Sequence, residues 1–288
     1  MNHFQNYSFI YSIFKSKISV ITLIILNFLF LSFANAQVLQ AEAKGFQFRA
    51  MSGYTTNFVG SEDYRKVEMT QSNFIFDYGF SNDQQIILNA SILIDHNPDY
   101  DEEINRLNDT VLTYRKLLVR KSSIFRNIFG RVSAIIPTSE DSQQDEALYA
   151  GAVAGLSTVI PMGGRFFLQP DISLRQNFHK YTTDGSGEQN INYSYSGDFG
   201  AGYSFTDLDT FIGGVATATA FDYENDLMDT ELARYIGYNR TFSSINTDLL
   251  LLVQEGSALV LNRNGNVKDF DFYSPDTASI TLRGTIRF

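Results

Sequence analysis

The sequence predicts an all-β protein: an antiparallel transmembrane β-barrel of about twelve strands after a cleaved signal peptide. Three observations predict it. An export signal occupies residues 1–36, period-two alternation runs through the remainder, and the last strand ends on an aromatic residue.

The export signal comes first. Lys15 and Lys17 precede an apolar run from Ile18 to Phe33, and Ala34-Asn35-Ala36 follows it. A charged lead, an apolar stretch and an A-x-A site describe a secretory signal peptide, cut between Ala36 and Gln37. Asn27 interrupts the run, which falls short of the ~20 residues of a membrane-spanning helix. Residues 37–288 then form a single barrel domain. The chain has no cysteine, which excludes a lipoprotein anchor, disulfides and thiolate metal sites. A formal net charge of −10 argues against a nucleic-acid partner and fits acidic, solvated loops. Beyond residue 36 no stretch resembles a transmembrane helix, so a membrane protein here must be a barrel.

The strands follow in order. Gly45 to Asn57 opens the series, and Lys66 to Phe80 ends with Phe74, Phe76, Tyr78 and Phe80 on one face. Gln84 to Asp95 sets Ile86, Leu88, Ala90, Ile92 and Ile94 against Gln85, Asn89, Ser91 and Asp95. Thr110 to Arg120 and Phe129 to Ile136 come next. Glu146 to Ile160 sets Leu148, Ala150, Ala152, Ala154 and Leu156 against Tyr149, Gly151, Gly155 and Ser157. Arg165 to Tyr181 alternates Ile172 and Leu174 with Asp171, Ser173 and Arg175, and Pro170 within it predicts a bulge. Asn190 to Ser204 alternates Tyr193, Tyr195 and Phe199 with Ser194, Ser196 and Asp198, tyrosines gathering near its start as at a membrane interface. Thr210 to Tyr223, Leu232 to Thr241 and Thr247 to Glu255 continue the pattern. Thr277 to Phe288 closes it, with Ile280, Leu282, Ile286 and Phe288 on one face and Arg283 and Arg287 on the other. Helical periodicity is nowhere sustained; its best candidate, Glu102 to Leu107, is about one turn.

Link lengths alternate as well. Ser81-Asn82-Asp83, Pro161 to Gly164 and Thr206 to Asp209 are short, as periplasmic turns are. His96–Asp109, Thr138–Asp145, Thr182–Gln189, Glu224–Thr230 and Asn262–Asp276 are longer and polar, as outer loops are. Tyr78-Gly79-Phe80-Ser81-Asn82-Asp83 and Tyr203-Ser204-Phe205-Thr206-Asp207 share one pattern: aromatic, x, aromatic, hydroxyl, Asp, then a new strand. Interface aromatics beside tight-turn residues account for it. That pattern resembles the outer-membrane barrels of the MetA-pathway phenol-degradation, or transporter-like, family. Ile135-Ile136-Pro137-Thr138-Ser139-Glu140-Asp141 resembles the Leu-Pro-Thr-Gly-Asp segment of that family, with Ser139-Glu140 standing in place of its Gly. The resemblance implies a channel for hydrophobic compounds or small solutes, and carries over no functional residue.

Function must lie on the polar face. The alternation places Asp95, Asp171, Arg175, Asp198, Arg283 and Arg287 in the lumen. There they either pair to stiffen the interior or line a constriction that selects solutes by charge. Arg283 and Arg287 make a basic stripe that favours anions unless Asp77 and Asp198 neutralise it. The acidic loop Asp99 to Glu103 lacks the spaced ligands of a calcium loop and reads as a solvated outer loop. An enzymatic barrel needs a serine beside a histidine base, and neither His96 nor His179 has a His-x-Ser context. The expectation is a non-enzymatic Gram-negative outer-membrane barrel, without cofactor or metal, passing small solutes, hydrophobic or aromatic ones among them on the family resemblance. The alternative is a closed structural or surface-binding barrel. Its partners are outer-membrane lipid, small solutes, and the barrel assembly machinery, which would read Phe288 as the assembly signal of the last strand.

Overall fold

The computed structural model describes residues 45–59, 67–96, 104–120, 127–256, 260–261, 267–269 and 278–288; the cleavage site at Ala36 and Gln37 and the acidic loop at Asp99 lie outside them. Among the described residues the chain is almost wholly strand. In order these are β1 (Gly45–Asn57), β2 (Glu68–Ser81), β3 (Gln84–Asp95), β4 (Ile104–Leu107), β5 (Thr110–Arg120), β6 (Asn127–Ile136), β7 (Leu148–Gly163), β8 (Phe166–His179), β9 (Tyr193–Ser204), β10 (Asp209–Phe221), β11 (Leu227–Phe242), β12 (Thr247–Glu255), β13 (Val260–Leu261), β14 (Val267–Asp269) and β15 (Ala278–Arg287).

Each long strand pairs antiparallel with its sequence neighbour, and β1 pairs with β15 from Arg49–Arg287 to Asn57–Ser279. With β2 also paired to β3, the ring closes as a twelve-stranded wall in which β4 continues the line of β5. Among the described residues β13 and β14 pair with each other.

Alternation decides which face is which. On β1 and β2 the inward residues Arg49, Met51, Thr55, Gln71, Asn73, Ile75 and Asp77 are buried, Asn73 to 1 % exposure. Outward residues such as Val132 (59 %), Phe199 (61 %) and Leu282 (50 %) are bare. A water-soluble protein does not show apolar side chains around its whole circumference while hiding its amides and guanidiniums; a wall in lipid does. Aromatic rings gather outward at both ends of this band. At the short-turn end Phe48 packs on Phe76 (4.9 Å) and Phe288 (5.5 Å); at the long-loop end Tyr193 stacks on Phe221 (4.9 Å). Rings with an apolar body suit the two membrane interfaces.

The two turns with the shared sequence pattern also share a geometry. Tyr78–Phe80 and Tyr203–Phe205 each meet edge to face at 5.1 Å and 84°. In each turn the hydroxyl accepts main-chain hydrogen bonds: Ser81 from Asp83 N (3.3 Å), Thr206 from Leu208 N (3.1 Å) and Asp209 N (3.0 Å).

Four local expectations change. Within the best helical candidate, Ile104–Leu107 is β4, which pairs with Ile92–Asp95 at the outer end of β3. A single turn fixes many dihedrals for one hydrogen bond, so the open main chain of β3 is the better partner. Pro170 makes no bulge. β7 and β8 keep one register on both sides of it, Ser157–Asp171 and Ile160–Leu168, and simply miss the rungs between. Its ring nitrogen thus faces the gap, and Phe199 pairs with it on the other side. A bulge does occur between Leu148 and Ala150. It turns Leu148 inward (3 % exposed) and Tyr149 outward (64 %), the reverse of the uninterrupted pattern. In the loop at Thr138–Asp145, Asp141–Asp145 forms one helical turn.

Candidate functional site: a charged belt inside the barrel

The inner face carries a belt of ion pairs. Arg49 on β1 donates to Asp77 on β2, and Arg287 on β15 donates to Asp248 on β12. Arg131 on β6 grips Asp171 on β8 with both terminal nitrogens, Nη2 to Oδ1 at 2.7 Å. Tyr235 on β11 donates its hydroxyl to Asp198 Oδ1 on β9 at 2.7 Å. The Arg115 guanidinium on β5 lies over the Phe129 ring, 3.9 Å from its centre.

Two of these contacts skip a strand, and glycine lets them. Arg131 crosses β7 at Gly155, where a Cβ would lie 2.8 Å from Arg131 Cζ. Tyr235 crosses β10 at Gly214, where a Cβ would lie 2.4 Å from the phenol oxygen. Only a position without a side chain leaves room for these groups to lie along the wall.

Register explains why the crossings occur. Asp171 stands directly opposite Asp198, Arg49 opposite Arg287, and Arg115 opposite Arg131. Like charges in direct cross-strand pairs repel. Asp171, Asp198, Arg49, Arg131 and Arg287 each turn to a partner elsewhere on the wall.

Uncharged polar groups fill the intervals. Thr55 bonds Thr281 (2.8 Å), Thr113 bonds Ser133 (2.8 Å), and Ser173 bonds Ser196 (2.7 Å). Above the belt, three residues of the β4–β5 line (Asn108, Asp109, Thr110) stand opposite two of β3, a bulge that swings Asp109 toward the long-loop mouth. Asp109 there accepts from Thr138 N (3.1 Å), Ser139 N (3.1 Å), Ser139 Oγ (2.8 Å) and Ser142 Oγ (2.7 Å). Lys180 N bonds Ala147 O (2.9 Å) and Gly185 N bonds Asp145 O (2.8 Å), joining the 137–147 and 180–192 loops. His179 Nδ1 meets the Tyr223 hydroxyl at 3.1 Å, bringing in the 222–226 loop. In the 137–147 loop the Asp145 carboxyl is held above the usual carboxylate range, first by burial and then by Asp141, Asp184, Glu140 and Glu146.

The six residues singled out from the sequence all take inward positions. Asp171, Asp198 and Arg287 belong to the belt, and Arg283 is buried on β15. Arg175 lies nearer the long-loop end, its Nε donating to Asn177 Oδ1 (2.7 Å). Asp95 lies at the outer end of β3, away from the others. The sequence reading missed Arg49, Arg115, Arg131, Tyr235 and Asp248, and Asp77 entered only as a neutralising charge. Their signal was inward parity within strands located only by their limits. The histidines hold rim contacts, His179 as above and His96 through Nε2 with Thr70 Oγ1 (3.0 Å).

Among solved structures, the chain is similar to the COG4313 outer membrane channel from Pseudomonas putida F1, with 12% identity and a TM-score of 0.61 over 87% of this chain and 98% of that one. It is also similar to the NanC porin, at 11% identity and a TM-score of 0.50 over 83% of this chain and 98% of that one. These likenesses show the fold, a closed antiparallel barrel of the outer-membrane type. No family model and no curated protein matches the chain.

Proposed function

We propose that the barrel resides in a Gram-negative outer membrane and gives small solutes a passive route through its lumen. The observation that carries this reading is the inversion of the two faces: apolar side chains ring the outside, while guanidiniums, carboxylates and hydroxyls line the inside. A hydrogen-bonding interior shelters polar solutes from lipid, so hydrophilic molecules suit it better than the hydrophobic or aromatic compounds implied by the family resemblance. The similar solved structures are named as a channel and a porin, which agrees with this reading. No catalytic step is assigned to His96 or His179.

Export through the secretory pathway with cleavage after Ala36, and recognition of Phe288 by the assembly machinery, belong to the same proposal. Phe288 N bonds Phe48 O at 2.9 Å and the two rings stack, so the last residue helps fasten the seam. Purified protein in planar bilayers is expected to give stepwise conductance. Absence of both conductance and solute uptake would defeat the channel. Arg283→Glu should shift ion preference toward cations, and an unchanged reversal potential would remove Arg283 from the selecting wall.

A second reading rests on the strand-skipping contacts. They brace the wall from within, and Asn73 and Gln71 are almost wholly buried. A closed barrel acting through its outer loops would use the same bracing, and it would show no conductance.

A further inference from the structure

We infer that the outward surface at the long-loop end of β7 and β8 seats a phosphorylated glycolipid of the outer leaflet. The inference rests on residence in an outer membrane and does not depend on passage through the lumen.

The head of the seat is a lysine beside two phenols. Lys180 follows β8, is exposed, and carries its ammonium 5.1 Å from the centre of the Tyr181 ring. Its main-chain nitrogen bonds Ala147 O at 2.9 Å, which fixes the lysine's backbone against the start of β7. Tyr149, which the bulge in β7 turns outward, lies within electrostatic reach of the same ammonium. Both rings are bare, Tyr149 to 64 % and Tyr181 to 57 %. Glu146 faces His179 instead, Oε2 to Nε2 at 3.9 Å, and among the described residues no carboxylate pairs with Lys180.

The level suits a lipid headgroup. Gln176 pairs with Tyr193 of the outer aromatic band, and Lys180 lies a short way beyond it on the same strand line. Lipid phosphates lie just outside the interfacial rings, where a basic side chain attracts them.

On the lipid side of this head the wall is indented. The outward residues of β7 next to Tyr149 are small: Ala150, Ala152 and Ala154. Ala150 pairs with Phe178, and Ala154 pairs with Val132 on one side and Leu174 on the other. Those three flanking side chains stand bare on the outside, so β7 is a shallow trough between two ridges. An acyl chain laid along β7 fills the trough and gains dispersion contacts on three sides. Trough, Tyr149 and Lys180 thus share one line, as the chain and headgroup of a single lipid do.

The two rings set the headgroup's class. A cation flanked by exposed ring faces suits a ligand with both an anionic group and broad C–H surface, which a sugar phosphate has and a glycerol phosphate lacks. A choline headgroup brings its own positive charge against Lys180.

The test is native mass spectrometry of the whole purified barrel in detergent. It is offered equal amounts of monophosphoryl lipid A, the dephosphorylated form, phosphatidylglycerol and phosphatidylcholine. Monophosphoryl lipid A is expected to be retained about threefold over each of the others, the scale of an exposed charge contact. Lys180→Gln should bring it down to the dephosphorylated form, and Tyr149→Ala with Tyr181→Ala should bring it down to phosphatidylglycerol. These side chains are exposed and lie outside the belt, and heat-shifted gel mobility checks that each variant keeps the barrel. Equal retention of phosphatidylglycerol and monophosphoryl lipid A in the wild type overturns the glycolipid. Retention unchanged by Lys180→Gln overturns the seat. Conductance is read separately on the same preparation, and its absence with the lipid preference intact would remove the passage alone.

Discussion

At the scale of single residues, the interior is organised by long side chains that reach past their neighbours. Gly155 is the position most sensitive to this. A methyl group there meets the Arg131 guanidinium, so Gly155→Ala should displace Arg131 from Asp171 and lower stability by about 1–3 kcal/mol. Urea unfolding in detergent or lipid measures it, and a change within error would show that Arg131 moves aside freely. Tyr235→Phe keeps the ring but withdraws the hydroxyl from Asp198, an expected cost of about 1–3 kcal/mol by the same measurement. Alternation alone showed that Gly155, Asp171 and Asp198 point inward, because parity is local. It could not show that Arg131 lies over Gly155, since that depends on how β6, β7 and β8 are aligned. Hydrophobic alternation says nothing of which inward guanidinium meets which carboxylate.

At the scale of elements, strand limits were the most legible feature. Gln84–Asp95, Thr110–Arg120 and Thr247–Glu255 match their expected limits because each is bounded by turn residues or a change of alternation. β11 begins five residues earlier than alternation placed it: polar residues such as Thr230 and Glu231 hide a strand whose partner is β10. The loops were least legible, since their form comes from a few side-chain anchors. Asp109 is the chief one, and Asp109→Ala should expose the 137–147 loop to protease without altering the wall. Acidity should act on this same loop. Because the folded loop holds the Asp145 carboxyl above its ordinary value, the folded form binds a proton more readily than the unfolded one. Falling pH therefore relieves repulsion from Asp141, Asp184, Glu140 and Glu146, and the stabilisation is lost as pH rises through the raised value. Hydrogen exchange of residues 138–146, corrected for the fall in intrinsic exchange rate with pH, should slow on acidification from neutral pH. Asp145→Asn should show that slower exchange already at neutral pH, and equal rates for the two proteins would disprove the account.

At the scale of the whole molecule, alternation together with alternating link lengths sufficed for a closed wall of twelve strands. Closure itself is written at the seam, where β1 meets β15 along nine residue pairs from Arg49–Arg287 to Asn57–Ser279. The partner of β1 is thus the strand farthest from it in sequence. A nascent or truncated chain lacking residues 278–288 has two raw sheet edges, on β1 and β12, and nothing with which to join them. Such a chain invites aggregation or degradation in transit, so the wall cannot seal until β15 is in place.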